Sequence, residues 1–397
     1  MKNKKNFLEK LLNDVTVEWL PLGDFADYEQ PTRYLVESNN YNNNFKTPVL
    51  TAGKTFILGY TDETDGIYKA SERPVIIFDD FTTANKWVDF DFKAKSSAMK
   101  MITSKDESKA SLKYIYYWMN TLPSDLVDGD HKRQWISNYA NKLIPIPCPD
   151  NPKKSLEIQQ KIVSILDTFS ELTAELTAEL TARKMQYSYY REKLLTFDKN
   201  ELEWKALGEI CLATQNIRWK DNNSTYRYID LTSVSRENNS IIETSEINSQ
   251  TAPSRAQKIV LKDDVIFATT RPTQQRLCLI NDEYSNEIAS TGYCILRANT
   301  DVVLPKWIFF HILSTNFKNY VEENQSGSAY PAISDAKVKE FKIPIPPLEE
   351  QERIVSLLDK FDILTNSISE GLPKEIELRQ KQYEYYRDLL LTFPKEN

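Results

Sequence analysis

The chain has 397 residues, 41% of them hydrophobic, and a formal net charge of -7 at pH 7. Single domains usually stop growing well below this length, so two or three hydrophobic cores are expected. No run of about 18 apolar residues occurs and the N-terminus lacks the apolar stretch of a secretion signal, which predicts a cytoplasmic protein without a membrane span. The four cysteines show no CxxC spacing and are expected to be reduced core residues. The acidic balance excludes a uniformly basic nucleic-acid-binding surface and allows only a local basic patch.

Short apolar runs bounded by turn residues predict strands, and two longer apolar segments with aromatic faces predict helices. The expected strands, in chain order, are residues 57–60, 75–78, 98–102, 229–234, 265–268 and 293–296. The expected short helices are residues 113–120 and 306–313. Strands and helices therefore mix in two separate stretches, which predicts two globular α/β parts.

Four motifs occur twice in the same order along the chain. The paired segments are residues 17–24 and 202–209, 144–147 and 343–346, 158–167 and 350–359, and 183–191 and 379–387. The second pair reads Ile-Pro-Ile-Pro in both copies, and the sequence before it differs strongly between the halves. Each half therefore joins a variable globular part to a constant helical part. We place the variable parts at residues 1–150 and 201–346 and the constant parts at residues 151–200 and 347–397.

The constant parts carry the 4-3 apolar spacing of a heptad seam, which predicts long helices that pair. The seam residues in the first copy are Ile158, Ile162, Ile165, Phe169, Leu172 and Leu176, and in the second copy Ile354, Leu357, Phe361 and Leu364. In the second copy, the sequence Gly371-Leu372-Pro373 is expected to break or kink the helix before it resumes at Arg379.

The first constant helix contains the four-residue repeat Thr-Ala-Glu-Leu at residues 173–176 and 177–180. Four residues add about 6 Å of helix and slightly more than one turn. One interpretation is a ruler that sets the distance between the two variable parts. The other is a replication slip without consequence in a spacer helix.

The motifs of common catalytic sites are absent from the sequence. No glycines are spaced as GxG and no GxxxxGK occurs, which excludes the dinucleotide fingerprint and the phosphate-binding loop. Two histidines, His131 and His311, are too few for a His-rich metal site, and His311 lies in an apolar helix and is expected to be structural. The pairs Asp79-Asp80 and Asp263-Asp264 flank strands and are expected to be turn residues. We predict no catalytic residue and no metal site.

Three kinds of polar loop carry side chains suited to DNA base edges, because Arg pairs with guanine and Asn or Gln with adenine in bidentate geometry. The first follows a strand and holds Thr270, Arg271, Gln274, Gln275 and Arg276, with Thr82, Thr83, Asn85 and Lys86 at the equivalent place in the first half. The second holds His131, Lys132, Arg133 and Gln134, matched in the second half by Ser326, Ser328 and Tyr330. The third begins at Lys54 and has no counterpart assigned in the second half. The alternative for each is a solvated loop beside a strand.

The repeated architecture resembles the specificity subunits of type I restriction-modification systems. The likeness rests on two variable regions, each closed by Ile-Pro-Ile-Pro and followed by a helix that begins near Glu-Gln-x-x-Ile-Val-x-x-Leu-Asp. Its most specific part is Pro-Ile-Pro-Pro-Leu-Glu-Glu-Gln at residues 344–351, and the Thr-Ala-Glu-Leu repeat resembles the IC branch. In the first half residues 149–154 replace the tighter entry to the helix, so the likeness does not define where that helix begins.

The resemblance implies an α+β protein with two α/β target recognition domains, separated by two long conserved helices that pack as an antiparallel coiled coil with an internal pseudo-twofold repeat. Such a chain binds a bipartite, asymmetric site in double-stranded DNA and has no catalytic residue of its own. It scaffolds two methyltransferase subunits and two restriction subunits that act as motor and nuclease. S-adenosylmethionine, ATP and Mg²⁺ are then expected in those partners and no cofactor in this chain.

Three other interpretations remain open at this point. A coiled-coil scaffold with two protein-binding domains explains the heptads and the acidic charge, but not why the globular parts diverge while the helices stay constant. A stand-alone nuclease is disfavoured by the missing motifs. An orphan specificity subunit, whose partners are lost, has the same sequence features as a working one.

Overall fold

The computed structural model describes residues 15–53, 55–123, 133–198, 202–367 and 369–393. The chain forms two compact units, one made of Met1–Ala174 with Leu378–Asn397 and the other of Glu175–Glu377. A single helix, α4 (Pro152–Leu194), belongs to both units, and the boundary between them falls inside the Thr-Ala-Glu-Leu repeat. Each unit contains one variable part together with segments of both constant helical parts.

The described residues of the first unit form two small sheets and a strand pair. Its strands are β1 (Val17–Pro21), β2 (Ala26–Glu29), β3 (Thr47–Leu50), β4 (Ile57–Thr61), β5 (Val75–Asp79), β6 (Asn85–Val88), β7 (Lys93–Ala94), β8 (Met99–Ser104) and β9 (Leu143–Pro147). Its helices are α1 (Leu22–Phe25), α2 (Leu112–Met119), α3 (Gln134–Ser137) and the first part of α4. The strand orders are β2-β8-β5-β6 and β4-β3-β7, and β1 pairs with β9.

The second unit repeats this arrangement. Its strands are β10 (Trp204–Ala206), β11 (Cys211–Leu212), β12 (Tyr226–Ile229), β13 (Ser245–Ile247), β14 (Ala256–Ile259), β15 (Val265–Ala268), β16 (Leu277–Leu279), β17 (Ile288–Ser290), β18 (Tyr293–Ala298) and β19 (Lys342–Pro344). Its helices are α5 (Leu207–Ile210), α6 (Pro305–Ile312), α7 (Thr315–Asn324), α8 (Asp335–Glu340), α9 (Leu348–Asn366) and the start of α10 (Gly371–Leu391). The strand orders are β11-β18-β15-β16 and β13-β12-β17-β14, and β10 pairs with β19.

The two units therefore share one topology, with β14 as an addition in the second. In both, one neighbour of the middle strand is parallel and one is antiparallel, as β3 pairs with β7 and β4, and β12 with β17 and β13. The internal repeat seen in the constant motifs thus extends through the variable parts, where the sequence alone shows little of it.

Strands β5 and β15 are the apolar runs that the sequence predicted, and every residue in them is buried. Alternate side chains of a strand point to opposite faces of its sheet. Ile76 and Phe78 accordingly enter one core cluster, while Val75 and Ile77 enter another. A strand that is buried on both faces has a continuous apolar sequence rather than an alternating one.

The constant motifs hold the short helix of each unit by matching contacts. The Tyr114 hydroxyl donates to the Pro145 carbonyl over 2.6 Å, and the Trp307 indole donates to the Pro344 carbonyl over 3.0 Å. Lys113 pairs with Asp167 at 2.9 Å, and its counterpart Lys306 pairs with Asp359 at 2.5 Å. The repeated Ile-Pro-Ile-Pro strand therefore holds the short helix within the globular part, and the repeated Leu-Asp segment ties that helix to the long helix.

Both constant helical parts are helical, but not in every predicted detail. In the first copy the seam residues, from Ile158 to Leu176, are buried or half-buried. In the second copy Leu357 was wrongly placed in the seam, because it is 38% exposed whereas Leu358 is fully buried against the globular core. In each unit two helical segments meet through stacked rings, Phe169 with Tyr386 and Phe361 with Tyr190. The full antiparallel coiled coil stays a prediction.

The helix break near Gly371 was predicted at the right place and with the wrong resumption point. Helix α9 ends at Asn366 and α10 already begins at Gly371, eight residues before Arg379. Gly371 has a φ of +77°, and a Cβ there would lie 2.4 Å from the Ile363 carbonyl oxygen. Pro373 falls in the first turn of α10, where a helix needs no amide hydrogen at that position.

The strand predicted at residues 229–234 is also misplaced. Strand β12 ends at Ile229, because the Asp230 carboxylate accepts hydrogen bonds from the Thr232 and Ser233 amides at 2.6 and 3.1 Å and turns the chain. The other predicted strands and both short helices are confirmed to within two residues at each end.

His311 is buried, as are three of the four cysteines, Cys148, Cys278 and Cys294, whereas Cys211 is half-buried. His311 is 5% exposed and packs edge-on against Trp307, and its burial lowers its pKa to about 3. All four cysteines are free thiols, and burial raises the pKa of Cys211, Cys278 and Cys294 to about 12. Among the residues that the structure describes, none of the helices combines the length and the apolar character required to cross a membrane.

Candidate nucleic-acid interface

Of three loops in each unit, which we call A, B and C, loops B and C correspond to polar segments chosen from the sequence, whereas loop A does so only in the first unit. Loop A joins β3 to β4 (residues 51–56) and β12 to β13 (residues 230–244). Loop B joins β5 to β6 (residues 80–84) and β15 to β16 (residues 269–276). Loop C precedes the Ile-Pro-Ile-Pro strand and comprises residues 133–135 and 325–333 of the described chain. We call them A1, B1 and C1 in the first unit and A2, B2 and C2 in the second.

Loops B2 and C2 are joined by backbone and side-chain contacts. The Arg271 amide donates to the Pro331 carbonyl over 2.7 Å, and Thr270 forms a β-bridge with Ala332. The Arg271 guanidinium lies 5.0 Å from the centre of the Tyr330 ring, and that ring is 71% exposed. A cation over the face of an aromatic ring is held by the ring and loses little of its hydration. Here the Arg271–Tyr330 pair projects from the surface.

The backbone of B2 is unusual at two positions. Arg271 and Gln275 both have a φ of 49°, the left-handed region that non-glycine residues rarely adopt. Such conformations cost roughly 1–3 kcal/mol and persist where the surrounding structure imposes them. Between them, Pro272–Gln274 form a single 3-10 turn. The loop therefore presents Arg271 in one imposed conformation.

The remaining predicted residues of the second half differ in exposure. Ser326 and Ser328 are exposed in C2, and Thr270, Gln274 and Gln275 are half-buried in B2. Arg276 is half-buried, and its Nη1 donates to the Val234 carbonyl of loop A2 over 2.6 Å. Arg276 thus joins B2 to A2 instead of projecting from the surface.

Loops B1 and C1 are joined through the buried residue Asp80. Its carbonyl accepts from the Gln134 amide and its carboxylate from the Trp135 amide, both at 2.9 Å. The Lys100 ammonium lies 3.7 Å from the same carboxylate and 4.6 Å from the centre of the Tyr28 ring. Lys100 is 1% exposed, and burial lowers its pKa although Asp80 acts to raise it.

Arg133 reaches the same cluster through Gln30. With the Gln30 amide oriented to suit its neighbours, its oxygen accepts from Lys100 Nζ at 3.0 Å and from Arg133 Nη1 at 3.2 Å. Arg133 itself is exposed at the start of the described part of C1. A buried cation and an exposed arginine therefore share one amide oxygen at this surface.

The strand that follows loop B1 also contacts A1. The Lys86 ammonium, at the start of β6, lies 4.8 Å from the centre of the Phe56 ring in A1. Thr82 is exposed and Asn85 half-buried, whereas Thr83 is only 5% exposed with a φ of 62° in the turn. The turn is fixed by the Asp79 carboxylate, which accepts from the Phe81 and Thr82 amides.

Three of the predicted DNA-contacting residues, Lys54, His131 and Lys132, lie outside the residues that the structure describes. Sequence reasoning also missed loop A2. It occupies the position of the Lys54 loop in the shared topology, but it contains 15 residues where A1 contains six and has no sequence likeness to it. The order of the strands was the signal that could have located it.

The contacts join three separate stretches of each half into one continuous surface, A to B and B to C. In the parts of the chain that the structure covers, no three His, Cys, Asp or Glu side chains gather in a way that could hold a metal ion. The chemistry offered by the surface is that of hydrogen-bond donors, cations and aromatic rings, which suits nucleic-acid recognition.

Comparison with known proteins assigns both halves to one family. The family described as type I restriction modification DNA specificity domain matches residues 15–183 and 200–378, so each match contains one set of loops. The chain belongs to this family. The EcoR124I/EcoR124II specificity subunit of Escherichia coli is 52% identical over 407 aligned positions, which cover 99% of this chain and 98% of that protein. The EcoprrI specificity subunit of E. coli is 34% identical over 273 positions, 65% of this chain and 63% of that protein.

The fold agrees with a solved specificity subunit as well. The S subunit of the type I restriction-modification system from M. genitalium matches 97% of this chain and 98% of its own, with a TM-score of 0.57 and 15% sequence identity, a likeness of fold. The chain is thus a type I specificity subunit, the non-catalytic member of such a system, and it recognises DNA sequence.

Proposed function

We propose that loops A, B and C of each unit form one reading surface for one half of a bipartite, asymmetric DNA site. The observation that supports this is the contact pattern: in both units the same topology joins three distant polar segments, although their sequences differ. A shared frame with different loops is what two different half-sites require. The specificity subunit then reads one half-site with A1, B1 and C1 and the other with A2, B2 and C2.

In the second unit Arg271 is the main candidate for direct base recognition. It is exposed, its backbone is held in an imposed conformation, and the exposed Tyr330 ring supports its guanidinium. A guanidinium in this setting offers two parallel donors, which match the O6 and N7 acceptors of guanine in the major groove. Ser326 and Ser328 lie beside it in C2 and are suited to phosphate contacts.

Among the described residues in or next to the three loops of the first unit, the exposed cations are Arg133 in C1 and Lys86 beside B1. Both are held by neighbours, Arg133 through Gln30 and Lys86 over Phe56. Arg133 and Lys86 bring positive charge to the loops of the first unit, although the net charge of the chain is -7. A local positive charge of this kind supports DNA binding by a chain of acidic composition.

The constant frame supports equal partners for the two halves. We propose that two methyltransferase subunits and two restriction subunits assemble with this chain in the cytoplasm, and that S-adenosylmethionine, ATP and Mg²⁺ bind in those partners. The support is that Tyr189 and Tyr385, at equivalent places in the repeat, are 61% and 63% exposed, each in edge-on contact with the next tyrosine. Surfaces that are alike in both halves suit a partner that binds twice.

The test is a substitution that changes one half-site only. We expect Arg271→Ala, in the complex with methyltransferase subunits, to lower the preference for one base in the second unit's half-site by roughly 10- to 100-fold, because a bidentate pair is lost. The half-site of the first unit should not change. Methylation of a duplex library randomised at one half-site at a time measures both.

The matched control is Lys262→Ala, which removes an exposed cation from the other end of β15, where it pairs with Asp282 at 2.7 Å. This variant should keep the base preferences of both half-sites. The proposal is wrong if Arg271→Ala methylates the same sites as the unsubstituted protein, or if both half-sites change together.

A further inference from the structure

Loop A2 is the largest structural difference between the two reading surfaces, and its contacts give it a definite role. We propose that A2 reads base edges in the second unit's half-site, with Arg236 as the contacting residue and Arg276 as the residue that positions the loop. This inference rests on the proposed function and adds an element that the sequence did not reveal.

The first argument is that A2 is anchored to the core at its base. Val234 is fully buried and forms a β-bridge with Ile241, which packs against the same cluster. The Ser235 amide donates to the Ser240 carbonyl over 2.9 Å, and the Ile242 amide donates to the Ser233 carbonyl over 2.8 Å. Residues 233–242 are thus a small hairpin with a defined shape, and a preformed loop loses less entropy on binding.

The turn that leads into the hairpin is fixed as well. Burial acts to raise the pKa of the Asp230 carboxyl, but hydrogen bonds from Thr232 and Ser233 hold that pKa below its usual value. The Asp230 carbonyl also accepts from the Tyr293 hydroxyl over 2.8 Å. The Asp230 carboxylate at this end of the loop is therefore engaged by backbone amides, and the acidic side chain at the tip is the exposed Glu237 beside Arg236.

The second argument is that A2 joins the reading surface rather than another face. The Arg276 guanidinium of B2 donates to the Val234 carbonyl over 2.6 Å. Gly292 contacts both loops: its carbonyl accepts from the Thr269 amide of B2 over 2.8 Å, and a Cβ at Gly292 would lie 3.1 Å from the Leu231 side chain of A2. A side chain at position 292 would require the Leu231 side chain of A2 to shift by a few tenths of an ångström.

The first unit offers an independent parallel. There Lys86, beside B1, lies over Phe56 of A1, so a cation of the β-hairpin contacts loop A in both units. Loop A therefore belongs to the same surface in both, while its length changes from six residues to 15. A loop that keeps its position but differs in length between the two units is suited to recognise two different half-sites.

The third argument is the chemistry of the hairpin. Arg236 at the tip is exposed, and Ile242 at the base is 61% exposed, unusual for an isoleucine. An exposed guanidinium matches the guanine edge, and an exposed aliphatic group matches the thymine methyl group. Asn239 takes the left-handed conformation with a φ of 52°, which turns the chain tightly behind Arg236.

The experiment uses the methyltransferase complex and a duplex library randomised in the second unit's half-site, with the first half-site held constant. We expect Arg236→Ala to lower the preference for one base by roughly 5- to 100-fold and to leave other positions unchanged. Arg276→Met should weaken the same base preference, because the hairpin loses its bond to B2. Arg276→Lys, which keeps a donor for the Val234 carbonyl, should restore most of it.

A double variant distinguishes a residue that positions the loop from a residue that contacts the DNA. The double variant Arg236→Ala/Arg276→Met should lose little beyond Arg236→Ala alone, since both act through one contact, whereas Arg271→Ala should add its own loss at a different base. Hydrogen exchange of the Ser235 amide reports whether the hairpin stays formed in each variant, and Lys262→Ala is the control for an exposed cation outside the surface.

Three outcomes overturn the inference. The first is an Arg236→Ala complex with unchanged base preference while Arg271→Ala shifts its own, which leaves the proposed function standing. The second is DNA binding that weakens equally for all sequences, with a salt dependence that corresponds to about one fewer released counterion. That result would make Arg236 a phosphate contact. In the third, neither Arg236→Ala nor Arg271→Ala changes the half-site, and then the proposed function fails too.

Discussion

Gln351 is the side chain whose loss should most clearly show how the constant motif holds the globular part. It is fully buried in α9 and makes three hydrogen bonds. Its Oε1 accepts from the Leu304 amide over 2.9 Å, and its Nε2 donates to the carbonyls of Val302 and Pro346 over 3.1 and 2.9 Å. Leu304 is the N-cap of α6, so this amide side chain ties the start of one helix to another.

Gln351→Leu keeps the volume and removes all three bonds. Leaving a buried polar group without a hydrogen-bond partner costs about 1–3 kcal/mol. The cost is lower for the two carbonyls, because each carbonyl oxygen has a second lone pair that can still accept a hydrogen bond. We therefore expect a loss of about 3 kcal/mol in the free energy that holds α6 to α9. Because about 1.4 kcal/mol is a factor of ten, exchange of the Leu304 amide hydrogen should accelerate by roughly 100-fold.

The assay is hydrogen exchange in the assembled complex, read by mass spectrometry on the peptide that contains Leu304. Glu352→Leu is the matched control, an exposed neighbour in the same helix whose substitution should change exchange little. Gln159, the equivalent residue of the first unit, accepts from the Ser111 amide over 2.9 Å, so Gln159→Leu should expose that amide in the same way. Unchanged protection of Leu304 in Gln351→Leu would refute the reasoning.

Two further predictions concern pH and helix length. Burial lowers the pKa of His311 to about 3, so the unfolded chain binds a proton that the folded chain does not, and stability falls as pH drops below about 6.5. Between pH 7 and 5 this amounts to about 2 kcal/mol, and His311→Phe should remove that part of the slope in denaturant titrations; an unaltered slope would contradict the assignment. Deleting residues 177–180 shortens α4 by about 6 Å and should shorten the spacer between the half-sites by about one to two base pairs. A methylation map with an unchanged spacer, or with altered half-sites, would exclude a repeat that sets the distance between the variable parts. It would favour a replication slip without consequence.

The regular elements could be predicted because each leaves a local signature. The buried strands β5 and β15 are continuous apolar runs, and α2 and α6 have apolar faces at helical spacing. The failures have equally local causes. Asp230 ended β12 by capping its own turn, and Gly371 allowed α10 to restart where a helix was not expected.

The candidate interface was predictable in composition but not in arrangement. Loops B and C were identified from their Arg, Gln and Thr content, and the structure joins them through Arg271 and Tyr330 in one unit and through Asp80 in the other. Arg276 has the composition of a base-reading residue, yet its guanidinium donates to a carbonyl of A2. Composition cannot tell a projecting arginine from one that bonds to the backbone, because both are polar residues in a loop.

The amino-acid sequence by itself determined that this protein consists of two halves with the same architecture. Motifs such as Ile-Pro-Ile-Pro, and the residues Gln159 and Gln351, recur in the same order in both halves. Their repetition is local and survives in the one-dimensional pattern. Only the tertiary structure decided that A2 is the counterpart of the Lys54 loop and that A, B and C form one surface in each unit. Loop positions are set by strand pairing between residues far apart in the chain, and strand pairing leaves no mark in the loops it brings together.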